Sequence, residues 1–147
     1  MRPFPALLLS CLLPFAPAVA DAADMLPGPV EATVLKVVDG DTLAVSARVW
    51  LGQEVQTRVR LDGIDTPESR SKCAQEKAMA AEARRKLEEL VRTGADQVRL
   101  VNVVDDKFGG RVRARVLLAD GTDLSHALIA SGLARSYNGG KRKPWCS

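Results

Sequence analysis

The sequence holds a single histidine, His126, and only three cysteines, none of them grouped with it into a Cys/His cluster. That absence argues against a zinc site, structural or catalytic. Beyond the N-terminus there is no apolar stretch long enough to span a bilayer, so no membrane-embedded role and no stable membrane association are expected. Internal repeats and low-complexity tracts are also missing, which excludes a solenoid or a repeat array. Charge of one sign is scarce too: 21 Lys and Arg stand against 18 Asp and Glu, a net +3. So small an excess does not by itself indicate a polyanionic partner, and charge becomes informative only where acids gather at one place with Arg and Lys around them. What remains is ordinary for a folded protein. The 147 residues, 46% hydrophobic, suffice for one domain with a real core and not for two.

Met1 to Ala20, MRPFPALLLSCLLPFAPAVA, carries Arg2 near its start, an apolar run from Ala6 to Leu13 and onward, and Ala18-Val19-Ala20 at its end. This is the pattern of a cleaved secretory signal peptide over 1–20, broken by Pro14 and Pro17 and too short for a stable spanning helix. A lipoprotein signal ending at Cys11 fits less well, because it would leave apolar LLPFAPAVA directly after the anchor. The expected location is therefore secreted or periplasmic. Cleavage leaves Cys73 and Cys146 in an oxidising compartment, where a disulfide between them is expected in preference to two free thiols. Residues 21–29, rich in Asp, Ala, Pro and Gly, read as a flexible lead-in to a domain over 30–147.

Within that domain Val30 to Val38 reads as a strand, Asp39-Gly40-Asp41-Thr42 as a tight hairpin turn, and Leu43 to Val49 as a second strand. Glu54 to Leu61 completes a meander. From Ala74 to Arg92 the period changes: Met79, Ala83, Leu87, Leu90 and Val91 share one helical face, and Gly94 closes the helix. Gln97 to Val104 and Arg111 to Leu118 are further strands, and Leu124, Ala127, Leu128 and Ile129 mark a short amphipathic helix ending at Gly132. Five short strands with a helix between the third and fourth fit an α+β fold, mainly β: a five-stranded OB-type barrel with one long and one short helix packed on it.

The chemistry concentrates in Arg58 to Glu68, RVRLDGIDTPE. Here a strand runs through a Gly63 turn into a segment stiffened by Pro67, which pushes Thr66 out of the helical region. A barrel of this connectivity can bring Asp65 and Glu68 to the same rim as Asp39 and Asp41. Unpaired carboxylates a few Å apart repel by something on the order of 1 to 4 kcal/mol per pair, and a phosphate would add to that. A bound cation relieves both, and oxygen-only donors favour Ca²⁺, with Mg²⁺ second. The plainer reading of Asp39 and Asp41, a hairpin turn and nothing more, stands beside this one.

Taken together, Asp39-Gly40-Asp41-Thr42, Arg60-Leu61 with Ile64-Asp65-Thr66-Pro67-Glu68, Asp106-Lys107-Phe108-Gly109 leading to Arg111, and Ala127-Leu128 with Gly132-Leu133-Ala134 resemble the staphylococcal nuclease (thermonuclease) family in its order of blocks. The resemblance runs from about Val30 to Tyr137. It implies an OB-type barrel with appended helices and a calcium-dependent phosphodiesterase acting on DNA and RNA and leaving 3′-phosphates. By that resemblance Asp41 and Asp65 would bind calcium through their carboxylates and Thr66 through its backbone carbonyl, with Asp39 behind them. Arg60 and Arg111 would match the family's two catalytic arginines, whose paired donors suit phosphate oxygens. Glu68 would match the proposed general base, though a carboxylate in that place can also orient water without taking its proton.

The sequence departs from the family at one block, where Asp-Lys-Tyr-Gly-Arg is replaced by Phe108 and an extra glycine before the arginine. Arg113 and Arg115 alternate with Arg111 on one strand face, so the second arginine position is open among them, and Phe108 lacks a hydroxyl. Phe108, Arg113 and Tyr137 are candidate substrate contacts; Tyr137 fits base stacking and packing equally well. His126 is expected on the solvated face of its helix, Trp50 and Trp145 are expected to pack, and Lys141-Arg142-Lys143 reads first as a solvated charge run. A monomeric, exported, metal-dependent nuclease is the leading expectation. A non-catalytic nucleic-acid-binding OB module is the alternative, and a calcium-binding structural protein would leave the arginines without a purpose.

Overall fold

Alternation of apolar and polar residues along five stretches produces strands with one face turned to a common core, and the computed structural model describes residues 24–146 of the chain. The expected leader, 1–20, lies outside the described residues. In chain order the elements are β1 (Met25–Leu26), β2 (Val30–Asp39), β3 (Thr42–Trp50), β4 (Gln53–Leu61) and β5 (Ile64–Asp65), then α1 (Ala74–Thr93). After it come β6 (Gln97–Asp105), β7 (Arg111–Leu117), α2 (Leu124–Ala130) and β8 (Arg135–Ser136).

Strand β2 pairs with β3 and β6, β3 with β4, β4 with β7, and β7 with β6, so five strands close on themselves. All of these pairings are antiparallel except β4 with β7. This is the expected OB-type barrel with two helices packed on it. The parallel pair matters for the site because its register sets Arg58 beside Arg111 and Arg60 beside Arg113. Leu43, Val45, Val59, Leu61, Leu100 and Val116 fill the interior and are almost fully buried. Leu87 of α1 and Leu124 and Leu128 of α2 join that cluster from outside the sheet; burial of each such side chain contributes roughly 1.5–3 kcal/mol.

The long helix buries Ala80, Ala83, Leu87 and Val91, while Met79, expected on that face, is half-buried at its margin. Its docking explains Gly40. The two-residue connection between β2 and β3 does not place Gly40 at positive φ, as an Asp-Gly hairpin turn would. Instead α1 comes so close that a Cβ on Gly40 would stand 2.8 Å from the Ala83 Cβ.

The lead-in departs from expectation. Met25 and Leu26 pair with Val104 and Val103, and the Asn102 N–H donates to the Pro27 carbonyl at 3.0 Å. The cause is an open edge: β2 pairs with β6 no further than Leu100, so the far end of β6 has free backbone groups that β1 takes up. Trp50 also departs, since it does not pack but stands 70% exposed beside Leu51 at the tip of the β3–β4 hairpin.

Candidate active site

At the end of β4 the chain turns through Asp62 and Gly63, whose φ of +78° is the left-handed conformation glycine adopts without strain. It then forms β5, which pairs with β8 by setting Ile64 against Ser136 and Asp65 against Arg135. That pairing draws Asp65 and Thr66 inward until each is only 4% exposed, while Glu68, beyond Pro67, stays exposed. The Leu61 N–H donates to the Asp41 carbonyl at 2.8 Å, and the Ser69 hydroxyl donates to Asp39 Oδ1 at 3.3 Å. These two bonds tie the Asp39-Gly40-Asp41 turn to the segment carrying Asp65 and Glu68. The Glu68 N–H donates to Glu76 Oε1 at 2.9 Å, which fastens the backbone of Glu68 to the first turn of α1.

A cleft of about 580 Å³ opens between these turns and the β6–β7 connection. Asp39, Asp41, Arg60, Thr66, Glu68 and Arg111 all line it. Arg60 faces Asp41 with Nε 3.4 Å from Oδ2 and donates from Nη2 to the Ile64 carbonyl at 3.3 Å. Arg111 is held by Asp106, a carboxylate with a buried side chain, through Nε at 2.5 Å. Two ion-paired guanidinium groups thus reach the cleft with donors to spare. Arg111 lines the cleft, whereas Arg113 pairs with Asp62 at 2.8 Å and Arg115 with Asp123 at 3.1 Å, both off the cleft wall. Phe108 and Tyr137 line the cleft as well; the Arg111 guanidinium lies 4.9 Å from the Phe108 ring centre, a cation–π contact.

One further side chain enters from the C-terminal tail. Arg142 donates from Nε to Asp65 Oδ1 at 2.5 Å, from Nη2 to the Thr66 carbonyl at 2.9 Å, and from Nη1 to Glu68 Oε1. The Trp145 indole donates to the other Asp65 oxygen at 3.0 Å. The expected disulfide between Cys73 and Cys146 is present and fixes the end of this tail beside the site. The donors expected to hold a cation are all oxygens, which suits a hard divalent ion. As arranged they do not fit one. Asp65 and the Thr66 carbonyl are engaged by Arg142 and Trp145, Asp41 by Arg60 and the Thr42 hydroxyl, and no three His, Cys, Asp or Glu side chains among the described residues converge to hold a metal. The Arg142 guanidinium takes oxygens that were expected to hold a cation.

The sequence profile of one protein family, described as staphylococcal nuclease homologue, matches residues 58–144, more than half of the chain. The chain belongs to that family. This homologue is therefore a member of a nuclease family that binds nucleic acids, and the matched span runs from β4 into the tail, past Arg60, Asp65, Glu68, Arg111 and Arg142. Asp39 and Asp41 precede the span. No curated protein matches the chain. Among the described residues no helix is long and apolar enough to cross a membrane.

Sequence reasoning misses several groups that line or stand behind the homologue's cleft. Asp106 stands out in the sequence only as part of a block, yet it is what aims Arg111. Arg58 and Lys107 line the cleft too, and Arg58 is legible from the same alternation that singles out Arg60. Two expectations for the tail are corrected: Arg142, though exposed, is ion-paired and not a free surface charge, and Trp145 does more than pack, since both bond Asp65. The expected pairing of Cys146 with Cys73, five residues beyond Glu68, is the signal that sets the tail and Trp145 beside this turn, and the bridge is there. His126 is exposed on α2, as expected. Away from the cleft, the Thr122 backbone N–H, with its hydroxyl second, holds the exposed Asp120 carboxyl below its ordinary value.

Proposed function

We propose that this protein is an exported nuclease, secreted or periplasmic and monomeric, that hydrolyses phosphodiester bonds of DNA and RNA and leaves 3′-phosphates. The observation that carries the reading is the convergence of Arg60, Arg111 and Glu68 on one cleft within a chain of this family. A phosphodiester seated there meets two guanidinium groups, each already aimed by a carboxylate and each offering paired donors to non-bridging oxygens. Charge that builds on those oxygens as water attacks phosphorus is stabilised by donors fixed in advance, with little reorganisation during the step. Glu68 is the acceptor for the proton of the attacking water, and its backbone is held by Glu76. The bond to the 5′-oxygen breaks, that oxygen takes a proton from water in the open cleft and leaves as a 5′-hydroxyl, and the phosphate stays on the 3′ side. Phe108 and Tyr137 offer ring faces to the neighbouring bases.

Calcium, with magnesium second, is the proposed cofactor, with Asp41, Asp65 and the Thr66 carbonyl as its donors once Arg142 is withdrawn. Bound there, such an ion would supply positive charge to the phosphate and lower the charge repulsion of the acids. The test is to incubate the mature protein with single- and double-stranded DNA and RNA, with calcium, magnesium or excess chelator, and to analyse product ends. Cleavage that needs calcium and yields 3′-phosphates is expected. Undiminished cleavage in chelator would remove the metal assignment, 5′-phosphates would point to another mechanism, and binding without cleavage would leave the non-catalytic module.

A further inference from the structure

The tail after β8 is built, not loose. Tyr137 N–H donates to the Gly63 carbonyl at 2.9 Å, continuing the β5–β8 pairing by one residue. Its hydroxyl donates to the Gly140 carbonyl at 2.7 Å, folding the Gly139-Gly140 turn back on itself. On the far side of Arg142 the Arg135 guanidinium stacks 3.5 Å from the Trp145 ring centre and donates to the Pro144 carbonyl at 3.1 Å. Trp145 bonds Asp65, and Cys146 is bridged to Cys73. Arg142 is thus anchored from both directions, although like Lys141 and Lys143 it stands on the exposed side of the tail. Of the three acceptors it takes, two are proposed cation donors and the third is the proposed base.

From this arrangement we infer that Arg142 is an internal cation that competes with a divalent ion for Asp65 and the Thr66 carbonyl, and that the tail is a strap keeping the cleft latent. The inference rests on the functional reading above only for what the cleft does once opened. A guanidinium and a divalent ion cannot share the same oxygens: each demands their lone pairs, and the two positive charges repel. Ion binding is therefore an exchange in which the ion enters and Arg142 leaves, and the apparent affinity is the intrinsic one reduced by the fraction of molecules with Arg142 withdrawn. Contacts of one charged group with three acceptors favour the strapped state by roughly one to two decades. The strap also takes one oxygen of the base, because Arg142 holds Glu68 Oε1 and leaves only Oε2 to face water.

The experiment titrates chelator-stripped mature protein with CaCl₂ by calorimetry, and with Tb³⁺ by luminescence, beside Arg142→Gln and the double variant Cys73→Ser/Cys146→Ser. Arg142→Gln removes the charge and keeps a polar side chain, and a native circular dichroism spectrum certifies its fold. It should bind both ions about 10- to 100-fold more tightly, and the double variant, which frees the strap's anchor but keeps Arg142, should fall between it and the natural protein. Equal or weaker ion affinity in Arg142→Gln would overturn the competition. Unchanged affinity in the double variant would overturn the role of the bridge in the strap. A nuclease assay on the same samples separates the two readings. Tighter ion binding without cleavage removes the nuclease and leaves the competition standing; full cleavage with unchanged ion binding does the reverse.

Discussion

Opening the Cys73–Cys146 bridge should cost this protein a large part of its stability through the unfolded state. The two cysteines are separated by 73 positions, and their Cα atoms lie 6.6 Å apart in the folded chain. Where chain entropy dominates, closing a loop of that length destabilises the unfolded ensemble by about 4 kcal/mol. Domains of this size are themselves stable by only about 5–15 kcal/mol. In urea, with a slope of about 1.5 kcal/mol per molar, the unfolding midpoint of the reduced protein should fall by roughly 2–3 M. The slope itself should rise on reduction, because an uncrosslinked unfolded chain exposes more surface. The assay is urea unfolding followed by circular dichroism, on oxidised protein and on protein reduced and alkylated. A midpoint shift under about 0.5 M, or a slope that does not increase, would refute the entropic reasoning. Alkylation of both cysteines without reductant would remove the bridge altogether.

Glu68→Gln keeps shape and hydrogen bonding but cannot accept a proton, so turnover should drop by at least the roughly 10²-fold typical of positioned acid–base groups while substrate still binds; near-normal turnover in a steady-state assay would end the assignment. Arg111→Lys preserves a partner for the buried Asp106 carboxylate but loses the paired donors, so turnover should fall about 10²-fold. Arg113→Lys, on a residue paired with Asp62 off the cleft, should change turnover only a few-fold, and the opposite ranking would show that Arg113 is the second cleft arginine. Gly40→Ala sets a Cβ 2.8 Å from that of Ala83 and should destabilise by about 1–3 kcal/mol. An unchanged thermal midpoint in that variant would mean that α1 is free to shift.

Most of the barrel is legible in the sequence because its strands are half-buried and alternate: Val30–Asp39, Thr42–Trp50, Gln53–Leu61, Gln97–Asp105 and Arg111–Leu117 lie within two residues of where the pattern sets them. The long helix is legible for the same kind of reason at the other period. What escapes are elements of two residues. Met25–Leu26, Ile64–Asp65 and Arg135–Ser136 are too short to show a period, and each exists only because a distant backbone edge needs a partner. The carboxylates and arginines of the cleft are readable as types in a spacing. Their partners are not, because Asp106 for Arg111 and Arg142 for Asp65 are set by tertiary placement. Gly40 is instructive, since its sequence context suggests turn freedom and the fold requires it for close approach.

The parallel pairing of β4 with β7 carries a consequence for the order of folding. The β2–β3–β4 meander is made of neighbouring hairpins and can form early, whereas its closure needs Val30 to find Leu100 and Arg58 to find Arg111 across the whole of α1. Such distant contacts come with a slow search. Asp65 is drawn inward only by β8, later still in the chain, and Arg142 reaches it after that. In a chain made from its N-terminus the acidic turn is thus the last part to have its partners present, and a chain interrupted before β8 has the five barrel strands but lacks the partner that shapes its cleft.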